Sequence, residues 1–136
     1  ALVLAIGLRW SALSAIFTAG WVVTPLLLAA ILSRVPMVAL GVWLPAARNT
    51  GASALTGRPR GSSLLVAAGL GFAAATILAG WAGLVAGLMA GAIAWGWGMV
   101  AKTKLGGQTG DILGASQQLT EIAVLTVLAA SVSHVV

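Results

Sequence analysis

The chain has 136 residues and only two acidic ones, Asp111 and Glu121. Both fall in one short segment, GGQTGDILGASQQLTE, residues 106–121. Gly106, Gly107 and Gly110 permit positive φ and let another group approach the backbone closely. Thr109 or Asp111 can cap the helix that follows. A helix N-terminus with free N–H groups favours a phosphate. A carboxylate at that place repels a bare phosphate, and a divalent cation between the two removes the conflict. Mg²⁺ in particular uses one or two carboxylates plus phosphate oxygens. The segment matches neither the GxxxxGK[ST] phosphate loop nor the GxGxxG dinucleotide turn. Its residues alone point to a cation or phosphate site, with a plain helix cap as the structural alternative for Asp111.

Further charges stand where a bilayer penalises them. Glu121 lies about three turns into the last apolar segment, roughly 15 Å by helical rise. Arg9 and Arg34 also fall within apolar segments. Ionisable groups at such depth are paired or functional. Arg34 has two readings, a structural partner for Glu121 or a grip on a substrate phosphate. Arg34, Gly41 and Arg48 are seven residues apart and share a helical stripe leading toward the basic loop. By 3.6-residue spacing, Gly114, Gln118 and Glu121 share a face, with Asp111 at its edge. That spacing predicts a polar stripe turned toward the bundle. Pro36 is expected to kink the helix near Ser33.

The elements that must position these residues are membrane helices. Hydrophobic residues make up 60% of the chain and charged ones 7%, against about 25% charged in a soluble domain. Mean hydropathy is +1.09. Residues 10–33 and 61–101 carry no charge, and about 20 apolar residues suffice for one span. The apolar runs do not alternate as barrel strands would. The fold expected is therefore all-α, a polytopic transmembrane bundle of about five segments: 1–18, 22–46, 63–80, 82–101 and 112–133. A turn falls near Gly80 and Trp81. Gly83, Gly87 and Gly91 make a smooth ridge for close helix packing. Trp21, Trp43, Trp81, Trp95 and Trp97 read as an interfacial belt.

Basic residues gather in two connectors, Arg48, Arg58 and Arg60 in one and Lys102 and Lys104 in the other. Two spans separate them, so both lie on one side, which the positive-inside rule makes cytoplasmic. The net charge of +5 thus reflects topology, and a nucleic-acid partner is excluded. Anionic lipid headgroups or phosphorylated substrates remain the expected partners beside the bilayer itself. There is no cysteine and one histidine, His134, so thiol chemistry and a histidine metal site are excluded. Ala1 opens inside an apolar run with no basic n-region, unlike a signal peptide. The chain reads as a piece of a longer protein, its oligomeric state open.

GGQTGDILGA followed by Glu121 resembles the C-terminal signature of the cobalamin synthase family, the adenosylcobinamide-GDP ribazoletransferases. Ser33-Arg34, and Ala47 and Arg48 with Gly51, resemble that family's preceding signatures in the same order. The resemblance covers most of the chain. It implies a multi-pass protein of the bacterial inner membrane with cytoplasmic active-site loops. It implies transfer of adenosylcobinamide phosphate from adenosylcobinamide-GDP to α-ribazole or its 5′-phosphate, with GMP leaving and Mg²⁺ required. In that frame Asp111 holds the metal, and Asp111 and Glu121 are catalytic. Arg34, Arg48, Gly106, Gly107, Thr109 and Gly110 bind phosphate. The family's N-terminal acidic motif has no counterpart here. Residues 1–136 are accordingly expected to be the C-terminal portion of one membrane-embedded domain, inactive by itself. Two rival readings are a small transporter or channel subunit and another phospho-alcohol transferase. Neither the inverted repeat of the first nor the closely spaced aspartates of the second is visible.

Overall fold

A computed structural model describes residues 2–45, 59–107 and 109–133. Five helices follow in order: α1 (Leu2–Thr18), α2 (Val23–Leu32), α3 (Arg34–Trp43), α4 (Gly61–Leu105) and α5 (Gly110–Ser133). No strand occurs among the described residues. Without water in a bilayer core, a helix satisfies its backbone within one segment. The protein is a polytopic transmembrane helical bundle.

Two local breaks shape the bundle. The 22–46 segment is divided at Ser33 into α2 and α3, which together make one span, Val23–Trp43. Pro36 has no N–H to offer the Leu32 carbonyl, so the break falls where that bond is missing. Ser33 is fully buried there, and its hydroxyl donates to the Ala30 carbonyl at 3.0 Å. The second break is Gly80, with φ 54° and ψ −128° inside α4. Only glycine adopts that conformation freely. The reversal divides one apolar stretch of 44 residues into two antiparallel halves.

Small residues let those halves touch. A Cβ on Gly83 would lie 1.8 Å from the Ala75 carbonyl oxygen, and one on Gly87 would lie 2.8 Å from the Phe72 ring. Gly91 is exposed and open, so the packing ridge expected from all three glycines is made by two. The same logic sorts the interior from the surface. Ala86 is fully buried while Leu88, two residues on, is 60% exposed. In lipid, large apolar side chains lose nothing by facing outward, and small ones bring backbones together.

The packing arranges the ends. Leu40 of α3, Leu44 just past its end, Ala101 of α4 and Ile112 of α5 form one cluster. The far cluster joins Ala12 and Ile16 of α1, Leu28 and Leu32 of α2, Ala86 and Ala90 of α4, and Val124 and Leu128 of α5. The ends of α3 and α4 and the start of α5 therefore meet at one end of the bundle, while Gly80 lies toward the other. That is the arrangement expected from counting spans between the basic connectors.

α5 differs from expectation in what it buries. Its inward line is Ile112, Ser116, Thr120, Val124 and Leu128, while Asp111 and Gln118 are exposed. The polar stripe therefore does not face the bundle centre as a unit: Asp111 and Gln118 are exposed, and Glu121 is half-buried against α1. The buried hydroxyls are satisfied on their own helix, Ser116 to the Leu113 carbonyl at 2.7 Å and Thr120 to the Ser116 carbonyl at 2.8 Å. Small self-satisfied residues pack closely, and a charged one needs a partner on another helix.

Glu121 finds that partner in Arg9 of α1, through a hydrogen-bonded ion pair. The expected alternative, Arg34, is exposed and makes no ion pair with any described residue. Arg34 and Glu121 lie at similar depths, but α5 turns Glu121 toward α1. Arg9 and Glu121 are each about a quarter to a third exposed, so the pair is half-buried between two helices.

Two stability outcomes are expected from thermal unfolding in detergent. Gly83→Ala should destabilise by at least about 1–3 kcal/mol, because its new methyl meets backbone, whereas Gly91→Ala should be neutral or better by up to about 1 kcal/mol. Arg9→Leu should destabilise by leaving Glu121 unpaired, and the reversed pair Arg9→Glu with Glu121→Arg should recover much of the loss. The corresponding double-mutant cycle should return a coupling of about 1–2 kcal/mol.

Candidate active site

The connector between α4 and α5 is built from helix-end chemistry. Gly106 closes α4 in the left-handed conformation, φ 69°, the usual glycine stop of a helix. Gly107 is buried, and a left-handed residue just before it turns the chain at once toward α5. Thr109 caps α5: its hydroxyl oxygen accepts from the Ile112 N–H at 3.3 Å, and its carbonyl from the Leu113 N–H at 3.1 Å. Of the two cap candidates, Thr109 is the cap and Asp111 is left free. Gly110 opens the helix and is exposed.

Asp111 stands in the first turn of α5, exposed, and pairs with no described residue. Helix polarity favours a carboxylate there, as it favours Lys102 and Lys104 in the last turn of α4. The first N–H groups of α5 precede any ladder partner and point out of the helix end. The connector thus presents one carboxylate, open N–H groups and two lysines around a turn with little side-chain bulk. Such a set can hold a cation and phosphate oxygens side by side. One carboxylate fits the sparse protein ligation of Mg²⁺, which takes its other ligands from water and phosphate. No cluster of three or more His, Cys, Asp or Glu residues occurs among the described residues.

The other candidates lie elsewhere. Glu121 is ten residues along α5 from Asp111, about 15 Å by helical rise. Arg34 starts α3 and is ten residues from Leu44, again about 15 Å from the end where the connector lies. The structure therefore brings Gly106, Gly107, Thr109, Gly110 and Asp111 together and leaves Arg34 and Glu121 at mid-depth. Arg48, with Ala47 and Gly51, lies outside the described residues.

Two features were not read from the residue pattern. The first is Trp97, assigned to the interfacial belt. It is half-buried, and its indole N–H donates to the Ile112 carbonyl at 3.1 Å. The signal was present in the spacing. Trp95 and Trp97 are two apart, so on a helix they point to nearly opposite sides. Trp95 takes the outer side, 67% exposed. The second is an open groove of about 670 Å³ between α1 and α5, lined by Ile6, Trp97, Leu119 and Ile122, with Arg9 and Gln118 as its polar groups. The Arg9 Nε is buried there without a hydrogen-bond partner among the described residues.

Comparison with known proteins places this arrangement in a family. The family model described as cobalamin-5-phosphate synthase matches residues 1–129. A protein of Sinorhizobium sp named adenosylcobinamide-GDP ribazoletransferase is 41% identical over 141 residues, covering 97% of this chain and 54% of that protein. Proteins of the same name from Bradyrhizobium diazoefficiens and Rhizobium meliloti are each 42% identical, covering 96% and 97% of this chain and 50% and 54% of their own. The chain spans about half the length of the curated relatives it matches. No solved structure matches. The match runs through all five helices and the α4–α5 connector, and this chain belongs to the cobalamin-5-phosphate synthase family.

Proposed function

We propose that these residues form part of an adenosylcobinamide-GDP ribazoletransferase acting in cobalamin biosynthesis, with the α4–α5 connector at its reaction centre. The observation that carries the reading is Asp111: an exposed carboxylate, released from capping by Thr109, beside open helix N–H groups. In this reading residues 1–136 are one portion of a membrane-embedded transferase domain in the bacterial inner membrane. The basic end of the bundle faces the cytoplasm, where nucleotide substrates are found.

The reaction is a displacement at phosphorus. A hydroxyl oxygen of α-ribazole, or of its 5′-phosphate, forms a bond to the phosphorus of the adenosylcobinamide phosphate group. The pyrophosphate P–O bond to GMP breaks, the hydroxyl proton passes to water, and GMP leaves with the bonding electron pair. Catalysis of this kind rests on positioning and on neutralising phosphate charge. Mg²⁺, when bound, would supply that neutralisation. Asp111 would hold it. Gly106, Gly107 and Gly110 keep the approach to the backbone clear. The N–H groups at the start of α5, with Thr109 fixing that turn, receive phosphate oxygens. Lys102 and Lys104 add positive charge at the same helix end.

Glu121 has a different part in this reading. About 15 Å of helix separates it from Asp111, too far for two carboxylates to share one metal ion. Bound to Arg9, it fixes α1 against α5 at mid-depth. Arg34 is assigned to a substrate phosphate, since an unpaired arginine at that depth costs about 2.5–3.5 kcal/mol. Arg48 is assigned to substrate phosphate with it.

The test is ribazoletransferase activity in membranes that carry the full-length gene product, supplied with adenosylcobinamide-GDP, α-ribazole and Mg²⁺. Asp111→Ala should insert normally and lose product formation by about 100-fold or more. Undiminished product from Asp111→Ala would reduce that residue to a favourable charge on a helix end. A lack of product from the unaltered protein would sink the transferase reading.

A further inference from the structure

The connector that leads into the first turn of α5, where Asp111 stands, is poorly suited to aim it. Gly106, Gly107 and Gly110 stand within five consecutive residues, and glycine leaves backbone directions open. Thr109 fixes the start of α5 relative to its own next turn but says nothing of how α5 sits against α4. Something outside the connector must set that angle.

Trp97 is placed to do so. It lies two turns before the end of α4, and its indole N–H reaches the carbonyl of Ile112, the residue next to Asp111. The neighbouring packing holds the tryptophan itself in place. Gly98 abuts Leu40, where a Cβ would meet Leu40 Cδ2 at 3.2 Å. Leu40, Leu44, Ala101 and Ile112 close around the same point, with Trp97 packed against them. An indole N–H buried in an apolar bundle requires an acceptor. Here the acceptor belongs to the first turn of α5, so satisfying the donor also fixes that turn. Trp95, two residues away, faces outward and makes no such bond among the described residues.

We propose that Trp97 is a positioning residue: its indole N–H bond to the Ile112 carbonyl holds the first turn of α5, and with it the Asp111 carboxylate, at a fixed angle to α4. The inference rests on the reading of Asp111 as the metal-holding carboxylate. It gives Trp97 no contact with substrate. Its effect runs through the direction of one carboxylate, so it should appear in metal affinity before it appears in binding of the α-ribazole acceptor.

The experiment replaces Trp97 in the full-length gene product by benzothienylalanine, which keeps the indole's shape and puts sulfur in place of the N–H. Trp95→Phe serves as the outward-facing control, and Trp97→Phe as a coarser removal of the same donor. Two quantities are read: the Mg²⁺ concentration giving half-maximal activity, and the hydrogen-exchange rate of the amides at residues 110–113. For loss of one hydrogen bond the half-saturating Mg²⁺ should rise about tenfold, with KM for α-ribazole unchanged and exchange at 110–113 faster. Trp95→Phe should alter neither. If the analogue leaves both quantities at their original values, the bond positions nothing and the inference is overturned. Faster exchange with an unchanged Mg²⁺ requirement also overturns it, leaving Trp97 a packing residue. An inactive unaltered protein is a separate result: it removes the transferase reading, and the positioning role falls with it. Exchange rates in that sample would still show whether the indole bond holds the turn.

Discussion

Within a bilayer core a polar group has no water to turn to, and one left without a partner inside the protein is costly. That constraint explains more of this bundle than any apolar contact does. Ser33, Ser116 and Thr120 are fully buried and bond back to carbonyls of their own helices. The Trp97 indole reaches across to α5. Glu121, a carboxylate that cannot bond to a carbonyl, takes Arg9 of α1. Apolar side chains have no such preference, since lipid and protein interior are nearly equivalent solvents for them. The polar minority therefore decides which helix faces which, and small residues decide how close they come.

Much of this was legible in the residues. Long uncharged runs gave the helices, because charge is what a bilayer rejects. The turn near Gly80 and the kink before Pro36 followed from the two residue types that govern backbone breaks. The common side of the basic connectors followed from counting spans, and α3, α4 and α5 meet at that end. The glycine and threonine chemistry of the Gly106–Asp111 turn was also readable, down to two candidates for the cap. These features are local or nearly so, and local sequence determines them.

What sequence left open depended on relative rotation of helices. Arg9 and Arg34 stand at comparable depths, and either could answer Glu121; the choice depends on how α5 is turned, and apolar residues on every side leave that turn unmarked. The expected inward polar stripe is met at Glu121 and not at Asp111 or Gln118, for the same reason. Spacing places Gly114, Gln118 and Glu121 together on α5, but it does not say which neighbour they meet. Trp97 was overlooked because tryptophan near a span end has a ready explanation at the interface. Its two-residue offset from Trp95 was the discriminating fact, since the two point to opposite sides of α4.

The reversal at Gly80 bears on how the protein enters a membrane. Ala79, Gly80 and Trp81 carry no charge, and neither does any residue from 61 to 101. Passing this turn through the bilayer moves no charge against the transmembrane potential, which costs about 2.3 kcal/mol per elementary charge per 100 mV. Arg60 at one foot and Lys102 and Lys104 at the other would each bear that cost. The two halves of α4 are thus suited to cross together as a closed hairpin, already packed through Gly83 and Gly87, rather than one after the other.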